Sequence, residues 1–350
     1  MSHLKPFKEI SKNNVDIAGG KGASLGEMTQ AGIPVPPGFV ILADAFDRFV
    51  EEAGIKQEID ARIAEVSPGD VNSVDRVSNI LRDVIRDAVM PDDLAQEILE
   101  AFDQLAGNTP LAPLKGGEST PEFFVAVRSS ATAEDGAVAS WAGELETYLN
   151  TTLEHVLVRV KECWSSLFTP RAIFYRFEKN MHDQYVSVAV VIQQMVQSEI
   201  SGVAFTVHPV TEDRDQMIIE AGLGLGEAIV SGQITPDSYV VSKSEMIILD
   251  INVGHQNQKL IRTPVGTGRD LSPTGRDLSP SGGTHKQNEW IELHEEGQKQ
   301  KLTGKQIMQL AEMCKKIEAH YGFPCDIEWA MDSAGDLYIT QSRPITTLKL

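Results

Sequence analysis

The sequence predicts an α+β protein that combines helices with mixed or antiparallel sheet. Three observations carry this expectation. Residues 55–105 are polar but place apolar side chains at helical spacing. Phe123–Val127 and Val186–Met195 are apolar or β-branched runs of strand length. Beyond residue 200, short strand-like runs follow one another between glycines and prolines. A chain of 350 residues can bury one large core or two to three smaller lobes. A flexible insertion is expected at 263–289.

Composition narrows the function classes. The apolar fraction of 41% is that of a globular chain. Lysine and arginine number 31 against 50 aspartates and glutamates, a net charge of −19. Such a balance argues against a general nucleic-acid surface or an anionic-membrane surface. An anionic small ligand would need a locally basic pocket. Cys163, Cys314 and Cys325 show no CxxC spacing, so neither a disulfide framework nor a zinc site is expected, and a reducing cytoplasm is the expected setting. The opening MSHLKPFKEISKNN has no apolar signal-like core, and no later run reaches membrane-spanning length.

Taken in order, Asp16–Met28 reads DIAGGKGASLGEM. A glycine-flanked lysine, Lys21, at a helix start can meet a phosphate closely, and an ordinary turn is the other reading. The P-loop pattern does not fit, because Gly22 stands where Ser or Thr is needed. Leu25 and Met28 share a helical face. Ala31–Val40 is a proline-stiffened turn into a strand, and Asp44 is expected to cap a helix bearing Phe46, Phe49 and Val50. Ile80, Leu81, Val84, Ile85 and Val89 form a helical stripe that Pro91 ends, and Gly107–Pro121 is loop.

The stretch FFVAVRSSATAEDGAVASWAGELETYLN at Phe123–Asn150 organises the rest. A buried strand ends in Arg128, and Ser129, Ser130 and Thr132 are expected in the loop that follows. An arginine and hydroxyls delivered into a loop suit an anion, because the guanidinium offers planar donors. Leu153 to Phe168 form an amphipathic stripe that belongs to the core, with Pro170 opening the next helix. Val186–Met195 is a buried strand with Gln193 and Gln194 near its end; buried amides need partners, and a nucleobase edge could be one. The glycines of Ala221–Asp237 are spaced GxGxG, which is not a dinucleotide fingerprint and leaves a phosphate approach and a tight turn open. TGRDLSP occurs twice at Thr267–Pro280, too short and too few for a solenoid. Thr303 and Gln306 make a capping box for a helix that Gly322 and Pro324 end. The hairpin DIEWAM–LYITQ then sets Asp326 and Glu328 on one face, with Gln341 and Arg343 likewise across it. Two carboxylates and an amide suit Mg²⁺, although a solvated sheet face would look similar.

Six segments in order resemble one family. They are GGKGASLGEM, VRSSATAED, AGELET at Ala142–Thr147, the QxM at Gln193–Met195, DIEWA and QSRPIT at Gln341–Thr346. Together they resemble the N-terminal ATP-grasp domain shared by phosphoenolpyruvate synthase (pyruvate, water dikinase), pyruvate phosphate dikinase and rifampin phosphotransferase. The resemblance implies an ATP-grasp-like fold whose two lobes, 1–185 and 186–350, enclose a nucleotide cleft, with ATP and Mg²⁺ as ligands. It implies that Lys21 and Arg128 hold ATP phosphates as the catalytic cations. Gly143 and Thr147 would line the phosphate side, and Gln193 would sit by the adenine. Glu328 and Gln341 would hold Mg²⁺ with Asp326 nearby, and Arg343 would add a phosphate contact.

In that family ATP phosphorylates a histidine on a separate swivelling domain, which serves a further pyruvate- or phosphoenolpyruvate-binding domain. The GGTH at Gly282–His285 lacks the spacing of the family's histidine motif. The sequence stops a few residues after QSRPIT, where a linker to that domain is expected. The expectation is therefore a piece of a longer enzyme, one part of a divided enzyme with its partner domains in trans, or a lone ATP-binding protein. Rifampin-type relatives share the domain, so the final acceptor stays open.

Overall fold

A computed structural model describes residues 2–67, 69–107, 123–132, 146–179, 186–262 and 288–346. Gly143, the acidic pair Glu134 and Asp135, and the tandem TGRDLSP repeat lie outside the described residues. The chain forms two compact units. The first comprises Met1–Met195 with Thr340–Arg343, and the second Val196–Ile339 with Pro344–Leu350. The first unit thus runs beyond the boundary expected at residue 185, because the strand Val188–Gln194 pairs inside its sheet.

The first unit begins with β1 (Leu4–Pro6), α1 (Val15–Gln30), β2 (Gly38–Ile41) and α2 (Ala43–Glu52). The helical stretch α3 (Lys56–Ala64), α4 (Val71–Asp87) and α5 (Asp92–Gly107) follows. Then come β3 (Val125–Ala131), β4 (Thr147–Thr151), α6 (Val156–Ser165), α7 (Pro170–Glu178) and β5 (Val188–Gln194). The sheet order is β1-β2-β5-β3-β4, with each neighbouring pair antiparallel. β5 lies between β2 and β3, and its burial is continuous from Val188 to Gln193, which is why it reads as an unbroken apolar run. Trp164 of α6 is fully buried and stacks on Phe49 at 4.8 Å between ring centroids. α7 starts as its sequence indicates, with Pro170 in the first turn and the Thr169 hydroxyl accepting from the Ala172 N–H at 3.1 Å.

Three local expectations are corrected. Ser129 and Ser130 lie within β3, which is buried along its whole length, and not in the loop beyond it. Leu42, not Asp44, is the N-cap of α2; Asp44 sits in the first turn and meets His3 Nδ1 at 3.2 Å. Val89 falls past the end of α4 and is 80% exposed, because Ala88 leaves the helix with ψ 141° and Met90 takes the buried position.

The second unit contains β6 (Ser198–Phe205), β7 (Gln216–Leu223), α8 (Glu227–Val230), β8 (Asp237–Ser242) and β9 (Ile247–Asn252). β10 (Gln258–Arg262) and β11 (Asn288–Glu292) form a separate antiparallel pair. α9 (Gly304–Tyr321), β12 (Cys325–Asp332) and β13 (Leu337–Pro344) complete the chain. The large sheet is ordered β13-β12-β6-β7-β8-β9. Its edge strand β13 is divided: Leu337–Ile339 belongs to the second unit and Thr340–Arg343 to the first. The capping box of α9 is present, with Gln306 N–H donating to Thr303 Oγ1 and Thr303 N–H to Gln306 Oε1 at 2.9 Å. Gly322 ends the helix in the left-handed conformation. No helix among the described residues is long and apolar enough to cross a membrane.

A buried ion pair staples this second unit. Lys301 Nζ lies 2.8 Å from Asp237 Oδ1, both side chains fully buried, and also donates to the carbonyls of Gly254 and Gly297. Asp237 Oδ2 accepts from the Tyr239 hydroxyl and the Lys301 N–H, and Oδ1 from the Gly254 N–H. Each charge therefore has several compensating partners, the condition under which a buried pair is tolerated. Lys301→Met strands the Asp237 carboxylate, and it is expected to cost about 3–5 kcal/mol. Urea unfolding should show a lower midpoint with an unchanged slope; an unchanged midpoint would refute the staple.

Candidate functional site

The register of the first sheet brings three candidate residues to one face. Arg128 of β3 lies opposite Val191 of β5 on one side and Thr147 of β4 on the other. Gln193 is two residues along β5 from Val191, so strand alternation gives it the same face. Arg128 is 7% exposed and Gln193 3%, whereas Thr147 is exposed at the sheet edge.

Arg128 Nη1 donates to Gln193 Oε1 at 3.1 Å and to the Thr340 carbonyl at 2.8 Å, and Nη2 donates to Gln341 Oε1. A guanidinium can only donate, so the Gln193 atom facing it must be the amide oxygen. That fixes the other end of the amide: Gln193 Nε2 is buried and has no hydrogen-bond partner among the described residues. A buried donor of this kind is costly without an acceptor. Gln341 is buried and turned to Arg128, while Arg343 is exposed.

Lys21 is placed by a break in α1. The helix is interrupted at Gly19, which adopts φ 67° and ψ 171°, and Lys21 follows in the first turn beyond the break, half-buried. Only glycine suits this position: the backbone is left-handed, and a Cβ would stand 2.2 Å from Ser130 Oγ. Ser130 Oγ donates to the Ala18 carbonyl at 2.9 Å and accepts from the Gly22 N–H at 3.3 Å. Its neighbour Ser129 donates to the Glu146 carbonyl at 2.8 Å, just before Thr147. The Glu146 carboxylate is held by Arg82 of α4 at 2.6 Å and by the Tyr148 hydroxyl. Burial first, and that carboxylate second, push the Tyr148 phenol upward.

The carboxylates gather in the second unit. Glu328 of β12 pairs with Val203 of β6, which pairs with Glu220 of β7. Cross-strand partners share a face, so Glu328 and Glu220 point to the same side, as does Asp326 two residues before Glu328. The opposite face carries the buried Ile327, Trp329, Ile219 and Tyr239. Burial, and then the charge of Asp326, raise the Glu220 carboxyl above its ordinary range. Among the described residues no group of three or more His, Cys, Asp or Glu is arranged to hold a metal ion.

Glu220 is not singled out by its sequence, where the available signal is a glutamate interrupting the buried run MIIEAG. Ser129 and Ser130 are expected from the sequence as hydroxyls for an anion, and the structure gives each a backbone carbonyl, that of Glu146 and that of Ala18.

The raised Glu220 pKa has a signed consequence. A folded-state pKa above the unfolded one gives stability that is complete below the unfolded value and lost as pH rises through the folded value. Glu220→Gln removes that loss. Its unfolding temperature should exceed wild type at pH 7, and the gain should vanish as pH falls below the ordinary value of 4.5. A gain that persisted at acid pH would show that ionisation of the Glu220 carboxyl is not its cause.

Comparison with known proteins bears on this arrangement. Residues 15–350 match the family described as pyruvate phosphate dikinase, AMP/ATP-binding domain. The chain is 42% identical to the phosphoenolpyruvate synthase of Pyrococcus furiosus, with 99% of this chain covering 44% of that protein. It is 41% identical to a probable phosphoenolpyruvate synthase of Methanocaldococcus jannaschii, with all of the chain covering 27% of it. A probable phosphoenolpyruvate synthase of Methanothermobacter thermautotrophicus is 42% identical, over 98% of the chain and 46% of the relative. The chain thus spans less than half the length of these relatives. By a match covering nearly its whole length, the chain belongs to the pyruvate phosphate dikinase AMP/ATP-binding domain family.

Proposed function

We propose that this chain binds Mg-ATP and passes a phosphoryl group from it to a histidine on a separate domain, as the nucleotide module of a phosphoenolpyruvate synthase-like enzyme. The pyruvate- or phosphoenolpyruvate-binding domain is then a further partner, in cis or in trans, and the setting is cytoplasmic. The observation that carries this reading is the buried amide donor of Gln193 beside the buried guanidinium of Arg128. An amide donor without an acceptor suits a ring nitrogen of adenine, and the cation beside it on the neighbouring strand suits phosphate.

The residues divide the work by their chemistry. Arg128 offers a planar fork, and its carbonyl partners can be exchanged for phosphate oxygens, which bind a guanidinium more strongly. Lys21 adds a point charge on a backbone fixed at the Gly19 break. Gly143 and Thr147 would serve the phosphate side, with Arg343 as an outer phosphate contact. Glu328, with Asp326 and Gln341, would hold Mg²⁺, since their oxygens are hard donors. The ion supplies charge neutralisation on the transferring phosphoryl group. Phosphoryl transfer needs positioning and charge compensation more than covalent help, and these side chains supply both.

Incubation with labelled ATP, Mg²⁺ and a supplied histidine domain, followed by counting of acid-labile phosphate, tests the transfer step. Absence of labelled histidine domain under conditions where Mg-ATP binds would refute it. Two substitutions test the binding roles by calorimetry. Arg128→Ala should weaken ATP about ten- to a hundredfold with or without metal, as loss of a charge-assisted contact does. Arg128→Lys should recover only part, because an ammonium lacks the fork. Glu328→Gln should leave binding in EDTA nearly unchanged and weaken Mg-ATP markedly. Mg-ATP binding equal to wild type would remove Glu328 from the metal set.

A further inference from the structure

We propose that Ser130 is a positioning residue for Lys21, so that β3 itself sets the spacing between the two cations. This rests on the reading of Lys21 as a phosphate-binding residue and adds a cause for its placement. The observation is the pair of bonds that one fully buried hydroxyl makes across the break in α1. Ser130 Oγ donates to Ala18 O before Gly19 and accepts from Gly22 N after Lys21. The kinked segment is held on both sides of the lysine. Close packing removes the remaining freedom, since the space a Gly19 Cβ would need is filled by Ser130 Oγ and its carbonyl oxygen.

Strand alternation supplies the rest. Ser130 is two residues from Arg128 and shares its face. The lysine-bearing backbone and the guanidinium are thereby referred to one rigid strand. A hydroxyl is the group required, because the position must donate to a carbonyl and accept from an amide at once. Ser129, on the other face, serves a different client: it bonds the Glu146 carbonyl and Ser166 Oγ. Two adjacent buried serines with separate clients make an internal control.

The test is a double-mutant cycle read by Mg-ATP calorimetry, with folding checked by circular dichroism and urea. Ser130→Ala should lower affinity about tenfold in the wild-type background, equivalent to about 1.4 kcal/mol. In the Lys21→Ala background the same change should cost almost nothing, because the lysine it positions is gone. Ser129→Ala should instead keep its full effect on affinity beside Lys21→Ala and lose it beside Thr147→Val. Ser130→Cys keeps the volume with weaker bonds; it should give an intermediate loss, and it carries the cycle if the alanine variant does not fold. A Ser130→Ala protein that is less stable but binds Mg-ATP normally would overturn the proposal, as would a loss fully additive with Lys21→Ala. If Lys21→Ala alone binds Mg-ATP like wild type, the phosphate reading of Lys21 fails, and this inference with it.

Discussion

The first unit depends on one constraint: Arg128 carries a charge it cannot release, in the middle of a buried strand. Water cannot compensate it there, and an uncompensated buried charge costs several kcal/mol. The chain answers with carbonyl oxygens from distant segments, Gln193 on β5 and Thr340 and Gln341 on β13. The first requires β5 to lie against β3. The others require the chain to return to the first unit after building the second. Sheet order and the discontinuous make-up of the unit are both consistent with the needs of one guanidinium.

These oxygens belong to amide side chains and to the backbone. Glu220, Asp326 and Glu328 share one half-buried face of the sheet in the second unit, where burial first, and the charge of Asp326 second, hold the Glu220 carboxyl toward its neutral form. An overall charge of −19 thus coexists with a buried guanidinium in the first unit.

Much of this was legible in the sequence, and the omissions have physical reasons. The unbroken run at Val188–Ile192, the capping box at Thr303 and the Pro170 start are local signals, and the structure follows them. Ser129 and Ser130 are local signals that mislead. Hydroxyl residues favour turns in isolation, and here tertiary bonds to α1 and to the segment before β4 hold them in a strand. Asp44 failed as a cap because Leu42 already occupies that position. Glu220 could be placed beside Glu328 only through register across β6, which no single segment encodes. Gln193 was legible as a buried amide, but which of its ends stands without a partner followed only from Arg128.

The divided strand β13 also sets a timetable. The first unit has nearly all of its residues by Met195, yet Thr340–Arg343 belong to it as well. A ribosome adding about 5–20 residues per second needs roughly 7–30 s to bridge that interval. Until then the oxygens of Thr340 and Gln341 do not exist for Arg128 to meet. The first unit therefore cannot be complete until the intervening second unit has been translated.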